Sequence, residues 1–177
     1  FTEGFSRAAE EMTTNLTDGS LNSLDISKKS TSYTFIAEKG PIVGFQSHDD
    51  PVRMPLPPFN EETALQKVKA AENAWNTRDP EKVCMAYTPD TVWRNRDHIF
   101  CGREEVKRFL TSKWEKEQDY KLVKNLWCYS GNRIGVRFTY EYRLQGTDQW
   151  YRCHGNELWE FDDKGYMMHR DMSGNDI

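Results

Sequence analysis

Residues 133–143 alternate strictly between apolar and polar side chains. The branched and aromatic set comprises Ile134, Val136, Phe138, Tyr140 and Tyr142. Because successive strand residues point to opposite sides of a sheet, a period of two predicts a strand with one buried face. A strand of this length needs neighbouring strands and a covering layer, so this segment constrains the fold more than any other.

Three further segments surround this strand and carry the same β-branched and aromatic character. They span residues 120–129, 150–161 and 166–173, and turn residues separate them at 130–132, 145–148 and 162–165. Strands that follow one another through short turns are typical of an antiparallel meander. A shorter strand is predicted earlier in the chain, at residues 91–96.

Three amphipathic helices are predicted before the meander, with the short strand between the second and the third. Asn60 is placed to cap the first helix, Asp79 followed by proline opens the second, and Gly102 precedes the third. The sequence therefore predicts an α+β domain. In it, a curved antiparallel sheet forms a cone around three N-terminal helices and leaves a pocket at the open end.

Residues 1–54 differ in composition from the rest of the chain. All six tryptophans come after residue 60, and prolines cluster between residues 51 and 58. A proline cluster beside charged residues is typical of an extended linker. We expect residues 1–54 to form a loosely ordered extension and residues 55–177 to form the domain.

Composition excludes several classes of protein. Lys and Arg number 24 against 28 Asp and Glu, and a net charge of −4 argues against nucleic-acid binding. No apolar run is long enough for a membrane-spanning helix. The four cysteines form no CxxC pair, which predicts reduced thiols and a cytoplasmic location. The sequence has no glycine-rich phosphate loop and no histidine spacing typical of metal sites, so neither a cofactor nor a metal is expected.

Several runs in the second part of the chain are long enough to be specific. They include PPF at 57–59, AWNTRDP at 74–80, VWRNRD at 92–97, GNE at 155–157 and WEFD at 159–162. Through these runs, residues 55–177 resemble an uncharacterised, mostly bacterial family of the SnoaL-like (nuclear transport factor two-like) superfamily. The resemblance implies the cone-shaped fold, an internal pocket and a homodimer formed through the outer face of the sheet. It implies no particular reaction.

The resemblance also raises the question of a catalytic base. The superfamily's steroid isomerases carry a general-base aspartate on the strand after the second helix, and their pattern places Asn95 there. An amide cannot abstract a proton, so Asp97 becomes the alternative base, provided that the strand continues and the two share a face. Trp93 and Asn95, together with Tyr140 and Trp159, are predicted to position a small apolar or aromatic ligand.

Glu157 lies on the more apolar face of the predicted strand 150–161. Burial raises the pKa of a carboxyl group unless a cation pairs with it. Arg170, on the following strand, is predicted to lie nearly opposite. The pair is either a catalytic centre, in which Arg170 orients Glu157 as acid or base, or a structural ion pair that fixes the register of the sheet.

Two functions stay open at this point. The first is a small-molecule pocket protein that acts without a cofactor as an acid–base lyase or isomerase. The alternative is a non-catalytic ligand-binding or dimerisation module. The polar face of the sheet, with Arg137, Glu141 and Arg152, suits a homodimer, because mixed charges complement themselves across a two-fold axis. Arg94 and Arg96 are predicted to share one strand face. They either clamp a carboxylate or enol oxygen of a ligand or pair with strand carboxylates such as Asp171.

Overall fold

A computed structural model describes residues 48–177, which form three helices and six strands. In chain order these are α1 (Glu61–Asn76), α2 (Pro80–Cys84), β1 (Tyr87–Asn95), β2 (His98–Cys101), α3 (Arg103–Lys116), β3 (Glu117–Ser130), β4 (Arg133–Leu144), β5 (Trp150–Phe161) and β6 (Met167–Asp176). The α+β class and the three helices ahead of a four-strand meander are confirmed. The predicted extension falls largely on residues 1–47, outside the described residues.

The strands form one sheet in the order β2-β1-β6-β5-β4-β3. The meander from β3 to β6 is antiparallel, as predicted. The sheet as a whole is mixed, because β1 pairs with β6 in parallel, with Trp93 opposite Arg170. Parallel neighbours require a long connection, and here α3 and three strands of the meander provide it.

The first strand ends earlier than predicted, and a hairpin follows it. β1 stops at Asn95, and Arg96 adopts a left-handed backbone conformation with φ of 59°. The chain then returns as β2, which pairs antiparallel with β1. β2 was not predicted, since the residues at this turn are charged and contain neither glycine nor proline.

The helix starts follow the predicted capping residues. Asn60 Oδ1 accepts a hydrogen bond of 2.9 Å from the Thr63 amide, and Thr63 Oγ1 accepts one of 2.9 Å from the Asn60 amide. Asp79 caps α2 by accepting from the amide of Lys82. Each cap satisfies an amide at the start of the helix that has no partner within it.

Four tryptophans fill the space between the helices and the concave face of the sheet: Trp75, Trp93, Trp114 and Trp159. Trp75 and Trp93 stack with ring centroids 6.1 Å apart, and Tyr87 packs edge-on to Trp93 at 4.8 Å. Rings of this size bury a large apolar area, so the deep part of the cone is a packed core. Open volume is therefore left mainly at the wide end.

Residues 48–54 contact the domain, although the sequence places them in a linker. The Tyr166 hydroxyl donates to the carbonyl of Pro51 at 2.7 Å, and the Lys67 ammonium donates to the carbonyl of Arg53 at 2.8 Å. These contacts bury Lys67, although it is a charged residue of a helix. Residues 48–54 therefore pack as part of the domain. For residues 1–47, the loosely ordered extension stays a prediction.

Two glycines leave room for the Phe138 ring on the concave face of the sheet. Gly155 on β5 and Gly174 on β6 both lie next to the tip of this ring. A Cβ at position 155 would fall well inside van der Waals contact of this ring and of the Ser173 carbonyl oxygen. Phe138 in turn helps to enclose the inner core.

We expect Gly155→Ala to lower the free energy of unfolding by about 2 kcal/mol, because the added methyl overpacks against backbone that cannot move freely. Urea denaturation of the purified protein measures this change. Asn156→Ala, at the adjacent exposed position of the same strand, is the control and is expected to have little effect. Equal stability of the two variants would contradict the close packing described here.

Candidate functional site

The carboxylate of Glu157 lies at the centre of the core and accepts three hydrogen bonds. Lys124 Nζ donates to Oε2 at 2.8 Å, and Trp159 Nε1 donates to the same oxygen at 2.6 Å. Arg170 Nη2 donates to Oε1 at 2.6 Å. The side chains of Glu157, Lys124 and Arg170 are each at most 3% exposed. The carboxylate is thus enclosed by donors and aromatic rings.

The environment of Glu157 keeps it ionised. Burial alone would raise its pKa, but the charges of Arg170 and Lys124 and their hydrogen bonds outweigh burial and lower the pKa to about 2. A carboxylate with so low a pKa and with both oxygens occupied is a poor proton carrier. This geometry favours the structural alternative for Glu157 and Arg170 over the catalytic one.

The register between β5 and β6 differs from the predicted one by two residues. Glu157 lies opposite Met172, and Arg170 lies opposite Trp159. An irregularity between Glu160 and Phe161 shifts the pairing next to the turn. Glu157 and Arg170 still share the concave face, so their side chains meet diagonally.

Lys124 is the partner of Glu157 that the sequence analysis missed. Its ammonium lies 5.3 Å from the ring centroids of Phe138 and Trp159. Burial lowers the pKa of Lys124 to about 8, against the opposing effect of Glu157. A signal was present in the sequence, since Tyr120, Leu122 and Lys124 alternate along β3 on one buried face.

Arg170 connects the buried carboxylate to Asn95. Its guanidinium lies 4.3 Å from the ring centroid of Trp93, and its Nη1 donates to Asn95 Oδ1 at 3.2 Å. Arginine only donates hydrogen bonds, so the amide oxygen of Asn95 must face the guanidinium and the amide NH₂ must face away from it. Within residues 48–177, no acceptor occupies that NH₂ group.

A cavity of about 550 Å³ opens at the wide end of the cone. We call it the mouth cavity; its apolar walls include Phe100, Phe109 and Met172, and its polar lining includes Asn95, Arg96, Lys113, Glu117, Tyr140 and Asp176. Beneath it lies a void of only about 10 Å³ that Glu157 lines. Such a void holds at most about one water molecule. Asn95, Lys113, Tyr140 and Met172 line both spaces and form the floor between them.

Lys113 and Glu117 form an ion pair in the mouth cavity. Lys113 Nζ lies 2.5 Å from Glu117 Oε2 and donates to the Tyr140 hydroxyl at 3.3 Å. Burial raises the pKa of Glu117 in spite of Lys113, and burial lowers the pKa of Lys113 in spite of Glu117. In the described part of the chain, Glu117 Oε1 accepts no hydrogen bond. Glu117 thus combines a raised pKa, a free oxygen and access to the cavity.

Glu117 was not among the predicted site residues. It lies four residues after Lys113, just past the end of α3. Side chains four apart on a helix are neighbours. A lysine in an apolar helical stripe with a glutamate four residues later is the signal that would have found the pair.

Arg94 and Arg96 lie in different environments. Arg94 pairs with Asp171 at 3.2 Å, as expected for a strand carboxylate. Arg96 lies past the end of the strand and turns toward the mouth cavity, where its Nη2 is 2.9 Å from Asp176 and 3.2 Å from Cys153 Sγ. The expected shared face is therefore wrong, because the left-handed conformation of Arg96 breaks the alternation.

The predicted site residues divide between the mouth cavity and the core. Asn95 and Tyr140 line the cavity. Trp93 and Trp159 are at most 2% exposed in the core and line no part of the mouth cavity. The expected position of Asp97 is wrong: its side chain is 88% exposed at the hairpin after β1, because the strand ends before it.

No group of three or more His, Cys, Asp or Glu side chains within residues 48–177 is arranged to hold a metal ion. None of the helices described above is long and apolar enough to cross a bilayer.

Residues 57–177 match a family model described as "Protein of unknown function (DUF1348)". The chain belongs to this family. The match begins just before α1 and includes every helix and strand described above. No curated protein matches the chain.

Solved structures share the fold at low sequence identity. SalBIII, an epoxide hydrolase/cyclase-like enzyme of pyran ring formation in salinomycin, is 11% identical, with a TM-score of 0.58 over 66% of this chain and 93% of SalBIII. An NTF2-like protein of unknown function from Burkholderia pseudomallei is 21% identical, with a TM-score of 0.57 over 63% of this chain and 90% of that protein. A hypothetical protein with a ketosteroid isomerase-like fold from Catenulispora acidiphila is 11% identical, with a TM-score of 0.55 over 60% of this chain and 84% of that protein. The cone is therefore NTF2-like, and identities this low establish the fold alone.

We expect Glu157→Gln to lower the free energy of unfolding at pH 7 by about 3–5 kcal/mol, because it leaves two buried cations without a carboxylate. The pKa of Glu157 is below its ordinary value, so the stabilisation of the folded state by this carboxylate is complete at pH values above the ordinary pKa of a glutamate. The stabilisation disappears as the pH falls toward about 2. Urea denaturation at several pH values should show the difference between parent and variant narrowing between about pH 5 and pH 2.

Glu115→Gln, at an exposed position of α3, is the matched control for the removal of a glutamate charge. Its difference from the parent is expected to stay small across the same pH range. A constant difference between the parent and Glu157→Gln at every pH would show that Glu157 is not ionised in the folded protein.

Proposed function

We propose that this chain binds a small molecule in the mouth cavity and transfers a proton on it, as a cofactor-independent acid–base lyase or isomerase. The observation that carries this proposal is Glu117: a carboxyl group with a raised pKa and an unoccupied oxygen in a cavity of about 550 Å³. Perturbed carboxyl groups in clefts of this size are typical of catalytic sites.

The lining of the mouth cavity supports a ligand of mixed character. Phe100, Phe109 and Met172 offer apolar contact to a hydrocarbon or aromatic body. The NH₂ group of Asn95 is free to donate a hydrogen bond to an oxygen of the ligand. A few placed polar groups within an apolar wall are the usual arrangement of a small-molecule site.

Proton transfer is assigned to Glu117 and its partner Lys113. The raised pKa brings the carboxyl group closer to neutral pH, where it accepts a proton from carbon and returns it more effectively. Lys113 and the amide of Asn95 are placed to stabilise negative charge that develops on an oxygen of the ligand. Glu157 and Arg170 act in this proposal as positioning residues, because Arg170 holds the Asn95 amide.

The test is a thermal-shift screen of enolisable ketones, epoxides and aromatic acids, followed by proton exchange. Incubation of 1-indanone and 2-tetralone in D₂O, followed by NMR, measures proton abstraction without knowledge of the product. We expect the parent to accelerate exchange and Glu117→Gln to lower the rate by about 100-fold or more, with ligand binding retained.

Glu115→Gln, one turn of α3 or less from Glu117, is the control and is expected to exchange at the parent rate. Binding without exchange by the parent would favour the alternative of a non-catalytic ligand-binding module. Neither binding nor exchange across the panel would contradict the proposal altogether.

We also propose that two copies associate through the outer face of the sheet. Leu158 and Trp127 on this face are 62% and 64% exposed, and Arg137 stacks 3.6 Å from the centroid of the Trp127 ring. Large apolar side chains at such exposure favour a protein contact. The surrounding charges include the Arg152–Glu141 pair, and mixed charges suit a two-fold contact.

We further propose that the protein is located in the cytoplasm. All four cysteines lie within the described residues, and all are free thiols. Cys101 and Cys128 are exposed, and exposed thiols persist in a reducing compartment.

We expect Leu158→Arg to convert the dimer into a monomer in sedimentation velocity, because it places a cation within the apolar contact. Leu65→Arg makes the same change at an exposed leucine on α1, away from the sheet, and should leave the mass unchanged. A parent protein that sediments as a monomer at tens of micromolar would contradict the dimer.

A further inference from the structure

The charges beneath the mouth cavity do not balance. Lys124 and Arg170 are two buried cations, and Glu157 is the one carboxylate that pairs with both. Glu72 also approaches Lys124, by accepting a hydrogen bond from its backbone amide, but its other oxygen pairs with the surface residue Lys69. The core directly below the floor therefore carries an excess of one positive charge.

The charges that line the mouth cavity itself cancel in pairs. Glu117 pairs with Lys113, and Asp176 pairs with Arg96. Glu105 also belongs to the lining and pairs with Arg108 outside it, whereas Lys116 at the rim forms no ion pair with any residue from 48 to 177. The lining therefore adds no net negative charge that would offset the buried excess.

Asn95 transmits this excess to the cavity. Its amide oxygen accepts from Arg170, which polarises the amide and directs the NH₂ group away from the guanidinium. Because no acceptor within the described chain satisfies that NH₂ group, the floor offers a hydrogen-bond donor backed by positive charge. A group that accepts hydrogen bonds and carries negative charge satisfies both features.

We infer that the mouth cavity selects a small molecule with a carboxylate, and that it binds this carboxylate at the floor, on Asn95 above Lys124 and Arg170. The inference rests on the proposed function, since it names the chemical class of the ligand bound there. The neutral amide of the same ligand presents an NH₂ group and no charge, so it forms weaker contacts with this floor.

The charge of Lys124 is expected to change the binding constant of a charged ligand by a measurable amount. Water is excluded beneath the floor, apart from the void of about 10 Å³, so the charge is poorly screened. At an effective dielectric constant of about 20, one charge about 10 Å away changes a binding constant roughly tenfold. Lys124 is thus a specificity residue that never touches the ligand.

The experiment compares 1-naphthoate with its neutral isostere 1-naphthamide by isothermal titration calorimetry at pH 7. We expect the parent to bind the acid at least about tenfold more tightly than the amide. Lys124→Met removes the excess charge, keeps the length of the side chain and leaves Glu157 paired with Arg170. It should weaken naphthoate binding by roughly tenfold and leave naphthamide binding unchanged.

Lys121→Met, at an exposed position of the same strand, is the matched control and should change neither affinity. A general loss of packing weakens the binding of both ligands alike, so the ratio of the naphthoate and naphthamide affinities isolates the charge effect.

The parent protein alone is able to overturn the inference, even if neither variant folds. If it binds naphthamide as tightly as naphthoate, the inference fails and the proposed function stands. If the parent prefers naphthoate but Lys124→Met keeps the same preference, the buried charge is not its source and the inference fails as well. If no compound of the wider panel binds, the proposed function fails and the inference with it.

Discussion

The buried carboxylate of Glu157 is the interaction on which the arrangement of this domain depends. It joins β3 to β6 through Lys124 and Arg170, and it fixes the orientation of Trp159 within its own strand. Removing one partner from such a cluster leaves an uncompensated charge in the core, which costs several kcal/mol. The sheet is therefore held by a polar contact at a place where most domains have only apolar ones.

This cluster also determines what the accessible end of the cone offers. Arg170 fixes the amide of Asn95, and Tyr140 lies over the void that Glu157 lines. The side chains that face the mouth cavity are thus oriented by side chains buried beneath it. The two carboxylates differ accordingly: Glu157 is stabilised as an anion, whereas Glu117, the proposed acid–base group, keeps an unoccupied oxygen and opens into the cavity.

Periodicity and capping residues were sufficient to predict the meander, the three helices and the cone. They failed where the backbone departs from a repeating conformation: at Arg96, where β1 ends, and beside Glu160, where the register shifts. For the site, the burial of Glu157 and its contact with Arg170 could be predicted from alternation. The enclosure of Glu157 by Lys124 and the role of Glu117 could not, because they depend on which strand and helix meet in space.

The contact of Lys67 with residues 48–54 has a consequence for where this domain begins. Its ammonium is held by two carbonyl oxygens, those of Arg53 and Gly165, and burial lowers its pKa to about 8. A shortened protein that starts at residue 57, where the family match starts, would leave that ammonium with one carbonyl and a hole beside it. The family match thus begins later in the chain than the segment that Lys67 needs for its second hydrogen bond.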